Sequence, residues 1–413
     1  MRIGLLHYSG PPIVGGVEQT LYYHARILSD LGHEVHLIVG KGEPFDPRVQ
    51  VSTLPLVSSK HPRVLSMKRA LDQGQITADF EALREELKRD LEQSLAAVES
   101  LIVHNALTLH KNMALTAALW DLWQGRPWMR FIGWHHDFAW LRPQYRPEMH
   151  EGYPWDLLRR PWPEVLNVTV SQEQREQLAS LYGVPVDMIH SVPPGFDPAS
   201  IGIWTEITTR MVEDLGLLSA ELLLLLPARI TRRKNIEAAI EILAELRASQ
   251  DCDARLLISG PPGPHNPANL NYLQELQTQA ARLGVQEATH FLFDPYGDDV
   301  EGLDQATLAN LYSLADALLF PSRQEGFGIP VLEAAWSRLP VFCSDIPPFR
   351  ESGGSFIHTF SLDESATVIA GRISSVLMDD PAFLFRRRVR MRYTWPMIVS
   401  QHLIPLLRRG ESG

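Results

Sequence analysis

With 413 residues, 45% of them hydrophobic, the chain is long for one core, and two folded domains of ordinary size are expected. A formal charge of −11 argues against a general nucleic-acid binder, and Leu222–Leu226 falls far short of the ~20 apolar residues of a membrane helix. Two isolated cysteines, Cys252 and Cys343, supply neither a disulfide framework nor a cysteine zinc site, so a reducing compartment is expected.

The chain opens on a strand pattern, Met1-Arg-Ile-Gly-Leu-Leu, rather than a signal peptide, which makes a soluble, cytoplasmic protein the expectation. Ser9 to Glu18 follows, then an amphipathic helix carrying Val17, Leu21, Leu28 and Leu31. Gly32 stops it, and Val35–Val39 supplies a second strand of a parallel sheet. The loop lacks the G-x-G-x-x-G spacing of a dinucleotide site, and nothing matches G-x-x-x-x-G-K-S/T. Instead Gly15 and Gly16 sit where the helix begins, so a phosphate can approach the backbone without meeting a β-carbon; a flexible turn is the plainer alternative. Lys60, Arg63, Lys68 and Arg69 interleave with Val64, Leu65 and Met67. That pattern is either a solvated helix face or a basic surface making weak peripheral contact with anionic lipid or a phosphorylated acceptor. A strand at Met129–Trp134 runs into His135-His136-Asp137-Phe138. Adjacent histidines point in different directions, so one at most faces a common site, and they lack the i, i+4 spacing of a helical zinc pair. Ile189 to Asp197, with prolines and a glycine, has the chemistry of a hinge.

The α/β pattern restarts at Leu222–Leu226, followed by the cationic turn Pro227-Ala-Arg-Ile-Thr-Arg-Arg-Lys-Asn235. Cations between a strand end and a helix start are well placed for phosphate, although a solvated basic turn reads the same way in isolation. Asp294 to Asp299 is read as an acidic loop with weak metal character, and the five arginines between Phe383 and Arg392 as a charged surface. Ala317–Phe320 reads as a buried strand end, Glu325 to Gly328 as a glycine-bearing loop, and Pro330 as the first position of a helix. Gly326 and Gly328 let the backbone approach a ligand, and the free N–H groups of the helix start favour an oxygen-rich partner. Glu325 and Glu333 flank this turn; carboxylates accept paired hydrogen bonds from vicinal hydroxyls, while a solvated acid and a helix-dipole acid are the plainer roles.

The string from Phe320 to Trp336 closely resembles the E-x7-E signature of retaining glycosyltransferases of family 4. Gly-Gly-Val-Glu with Leu-Gly-His-Glu-Val, the His-Asp-Phe-x-Trp segment and the cationic turn resemble that family too, in the order it requires. The resemblance implies the GT-B fold: two Rossmann-like α/β domains facing each other across a cleft. It divides the chain into an acceptor-binding domain over 1–200, a nucleotide-sugar domain over 201–392, and a C-terminal helix of about 393–413 that crosses back. It implies that Gly15 and Gly16 face the donor diphosphate, that Arg229 and Lys234 neutralise it, and that Glu325 contacts the donor sugar. Glu333 would then hold the ribose, Gly326, Phe327, Gly328 and Ile329 would complete the donor loop, and His136 would line the sugar pocket, with His135 as the fallback. The expected catalytic set is therefore His136, Arg229, Lys234 and Glu325, with no metal or cofactor.

The reaction so implied is retaining transfer of a hexosyl group, mannose or glucose, from a nucleoside-diphosphate sugar to an acceptor hydroxyl. GDP-mannose and UDP-glucose are the leading donors on family frequency; the acceptor is a sugar, a small molecule or a glycolipid. A sugar-nucleotide epimerase or hydrolase and a non-catalytic binding subunit are the rivals.

Overall fold

The computed structural model describes residues 1–264, 268–297 and 302–408. Two compact units emerge: Met1–Phe196 together with the chain from Trp395 onward, and Asp197–Thr394.

The first unit carries β1 (Arg2–His7), β2 (Glu34–Val39), β3 (Val49–Thr53), β4 (Ser100–His104), β5 (Arg130–His135), β6 (Leu166–Thr169) and β7 (Ile189–Ser191). They form one sheet in the order β3-β2-β1-β4-β5-β6-β7, every pairing parallel. Parallel strands covered on both faces read as unbroken apolar runs, and the alternation of side chains shows why. Leu5 and Ile102 join the core built with Leu21, Leu28 and Trp395, whereas Leu6 and Leu101 join the one built with Phe80 and Leu115. The returning segment, helical from Trp395 to Leu407 with a π-helical stretch at Val399–Leu403, belongs to the first of these cores. Trp395 is seated there by its ring's stack on Tyr23 at 5.0 Å and by its backbone N–H donating to the Phe196 carbonyl at 3.2 Å.

The second unit carries β8 (Leu222–Leu226), β9 (Ala254–Ile258), β10 (Thr289–Phe291), β11 (Ala317–Phe320), β12 (Val341–Ser344) and β13 (His358–Phe360). The order is β10-β9-β8-β11-β12-β13, again all parallel. Two parallel α/β units are the GT-B architecture expected from the sequence. Because the order reverses between β8 and β11, the loops leaving those strands border the crevice where open α/β sheets take ligands.

Two readings are corrected. The segment from Asp294 is not a plain loop: Phe293–Tyr296 is a helical turn, while Asp298 and Asp299 lie outside the described residues. The arginine-rich helix Pro381–Tyr393 is not simply a charged surface. Arg390 is buried, bidentate to Asp316 at 2.7 and 3.0 Å and donating to the carbonyls of Ala220 and Glu221; Arg387 pairs with Glu221.

Candidate active site

The turn after β8 and the loop after β11 are stitched together. The Arg323 N–H donates to the Arg233 carbonyl at 2.8 Å, and its guanidinium donates to Asn235 Oδ1 at 2.7 Å. Asn235 adopts a left-handed conformation (φ 54°) that starts the helix Ile236–Ser249. Between these ties lies the ion pair Lys234 Nζ–Glu325 Oε1 at 2.5 Å, with only 9% and 8% of the two side chains exposed. Arg233 reaches the other carboxylate oxygen at 3.1 Å and the Gln324 carbonyl at 3.2 Å. Lys234 also lies over the Phe320 ring at 4.7 Å. Burial lowers the Lys234 pKa, and the Glu325 carboxylate opposes that shift. Four cations crowd this turn in the sequence, and the structure sorts three of them. Arg232 turns away to Glu275, Arg233 and Lys234 converge on Glu325, and Arg229 lies exposed on the preceding segment.

Gly328 caps the helix Ile329–Trp336 at φ 98°, ψ 46°, a region L-residues avoid, and a β-carbon there would come within 2.8 Å of Phe349 Cδ1. Gly326 borders open space, and Phe327 and Ile329 expose apolar surface beside it. Glu333 stands apart from the ion pair. It is exposed on the same helix, accepts a 2.6 Å hydrogen bond from Tyr312, and lines a groove with Leu308, Leu332 and Trp336. Burial raises the Tyr312 pKa, and the Glu333 carboxylate adds to the shift.

In the first unit, His7, His104 and His136 stand at or just past the ends of the neighbouring strands β1, β4 and β5. The His7 Nδ1–H donates to the His104 carbonyl at 3.0 Å, and His104 Nδ1 lies 3.2 Å from His136 Nε2. His135 is fully buried, with its two ring nitrogens on Thr108 Oγ1 at 3.1 Å and Asn167 Oδ1 at 2.9 Å. His136 is the partly exposed member; burial lowers its pKa to about 3, and that of His135 to about 4. Gly15 precedes the helix Gly16–Asp30 in extended backbone; a β-carbon there would sit 2.2 Å from the Glu18 carboxylate, which Ser9 Oγ holds at 2.5 Å. Gly16 faces open space.

Among the described residues, Asp72, His110 and Glu148 have spacing suited to a metal ion. The Lys68 ammonium already bridges Asp72 and Glu148 at 2.7 and 2.8 Å and supplies the positive charge there.

The family described as "Glycosyltransferase Family 4" matches residues 14–200, and "Glycosyl transferases group 1" matches residues 209–394, so the pair spans both units. The chain belongs to glycosyltransferase family 4. It is similar to two mannosylglucosylglycerate synthases. That of Petrotoga mobilis is 24% identical over 85% of this chain and 84% of its own, and that of Thermotoga maritima is 25% identical over 95% of each. An MMP alpha-(1->4)-mannosyltransferase of Mycolicibacterium hassiacum is 24% identical over 97% of this chain and 96% of its own. As a family 4 member it is a glycosyltransferase. Two of its site contacts escaped the sequence reading. Tyr312 lies 21 residues before the Glu333 it holds, and Arg233 is one of two adjacent arginines whose directions only the fold separates.

Proposed function

We propose that the protein is a retaining hexosyltransferase that takes its sugar from a nucleoside diphosphate and needs no metal. The second unit holds the donor and the first unit the acceptor. Mannose is favoured over glucose, and GDP-mannose over UDP-glucose, because the names of the full-length relatives describe mannosyl products.

One observation carries the reading: a nearly buried lysine–glutamate pair at the strand-order reversal, backed by Arg233 and the Gly328 turn. A diphosphate entering there offers the Lys234 ammonium a replacement for its carboxylate partner, which frees Glu325 to accept hydrogen bonds from sugar hydroxyls. Lys234 and Arg229 then stabilise the charge that grows on the departing diphosphate. Glu333, steadied by Tyr312, takes the ribose hydroxyls; the Gly15–Gly16 loop admits the phosphates; and His136 contacts the sugar. In this proposal the acceptor attacks on the face the diphosphate leaves, the front-face course that the family resemblance implies. The acceptor is a hydroxyl of a sugar, a small molecule or a glycolipid.

A thermal-shift panel of GDP, UDP and ADP sugars tests the donor, since binding to the native state raises its stability. In purified enzyme, Lys234→Met, Glu325→Gln and His136→Ala should each lower turnover by about 10²-fold, the scale of losing one positioned polar group. Near-normal turnover in all three overturns the assignment. The anomeric coupling in the product's proton spectrum tests retention, and turnover in excess chelator tests independence of metal.

A further inference from the structure

The first unit contains a cavity of about 680 Å³ where β1 and β2 end, a volume suited to a small ligand. Its walls are fixed by backbone contacts. The Gly10 N–H donates to the Lys41 carbonyl at 2.8 Å, and the Gly40 N–H to the Tyr8 carbonyl at 3.2 Å. A β-carbon on Gly40 would lie 2.0 Å from the Ser58 nitrogen, so only a glycine lets the segments bearing Lys41 and Lys60 adjoin. Both lysines line the cavity, and among the described residues neither is in an ion pair. On the following helix, Pro62–Leu71, Arg63 and Lys68 are paired with acids. Two unpaired cations on one wall are a selective feature in a chain of formal charge −11.

The two histidines of the lining are fixed as opposite tautomers. His61 Nδ1 accepts the Arg63 backbone N–H at 3.3 Å, so its Nε2 is a donor. His7 Nδ1–H donates to the His104 carbonyl, so its Nε2 is an acceptor, and burial keeps the ring neutral by lowering its pKa. Glu18, held by Ser9, adds a second acceptor.

We infer that this cavity binds a small soluble hydroxylated anion, a carboxylate or a phosphate monoester. Lys41, Lys60 and the His61 N–H grip the charged group, while His7 and Glu18 accept hydrogen bonds from its hydroxyls. That this ligand is the acceptor of glycosyl transfer rests on the function proposed above; its binding does not.

Titration calorimetry of the full-length protein with the matched set glycerol, glycerate and glycerol 3-phosphate tests the inference. Both anions should bind and glycerol should not, with affinity falling as salt rises. Lys41→Gln and Lys60→Gln, at exposed positions that spare the fold, should each weaken anion binding about 10-fold, the scale of one charge-assisted hydrogen bond. Anions that bind no better than glycerol, or equally well to both variants, overturn it, as does binding confined to phosphatidylglycerol vesicles. Lysine-dependent binding of anions that accept no sugar upholds the site and removes only its link to transfer. Unimpaired transfer to neutral acceptors by both variants, with no anion binding in the parent protein, removes the site and leaves the proposed reaction standing.

Discussion

Removing one partner of the Lys234–Glu325 pair should have unequal consequences, and the geometry says which is worse. Breaking a buried pair costs about 3–5 kcal/mol when the surviving charge is left uncompensated. In Lys234→Met, Glu325 keeps Arg233 at 3.1 Å, and the methionine fits against the Phe320 ring that Lys234 now covers at 4.7 Å. The expected loss is therefore about 2 kcal/mol, below that range. In Glu325→Gln, a lysine that is 9% exposed loses its carboxylate and retains Arg233 as a neighbour of like charge, so the loss should reach the full range. The double variant should recover at least about 1 kcal/mol relative to the sum of the single changes. Hydrogen exchange on amides of β8 and β11 reads the second unit alone, which avoids treating a two-unit chain as one transition. A Lys234→Met loss equal to or larger than that of Glu325→Gln, or strict additivity, would refute this account of the pair.

Gly328→Ala combines a left-handed backbone with a 2.8 Å approach to Phe349, itself fully buried against Phe320, so about 2–4 kcal/mol should be lost; an unchanged melting temperature would contradict this. Arg390→Met leaves the buried Asp316 carboxylate with the Leu223 backbone N–H at 2.8 Å and, as its remaining cation among the described residues, Arg386 at 3.8 Å, and denaturant unfolding of the second unit should show a loss of about 3–5 kcal/mol. Acid should weaken the first unit, because burial holds His24 and His136 at a pKa of about 3 and His135 at about 4. Below about pH 6.5 the unfolded histidines take up protons that the folded ones refuse, so stability falls as pH drops toward 4, by about 1.4 kcal/mol per pH unit for each histidine. His24→Phe, which removes two ring nitrogens buried without partners among the described residues, should flatten that decline in melting experiments between pH 7 and 4.

Central strands were legible because burial on both faces writes them as continuous apolar runs: Leu222–Leu226 and Ala317–Phe320 have the same bounds in sequence and structure. Short edge strands such as β3 and β13 carry no such run, and neither was picked out. Motif order made the family and its two-unit plan legible. Contacts across the fold were not. Choosing between His135 and His136 as the buried residue requires knowing that Asn167, 32 residues on, meets one of them. The arginine-rich helix looked solvated because the acid that holds Arg390 lies 74 residues away.

The return of the chain at Trp395 makes the second unit an insertion within the first. During synthesis, Asp197–Thr394 can leave the ribosome and fold while the earlier unit still lacks the tryptophan that stacks on Tyr23. A stop codon at position 395 should therefore spare the later-made unit and leave the earlier-made one unfinished, so the excisable piece is the middle of the gene rather than either end.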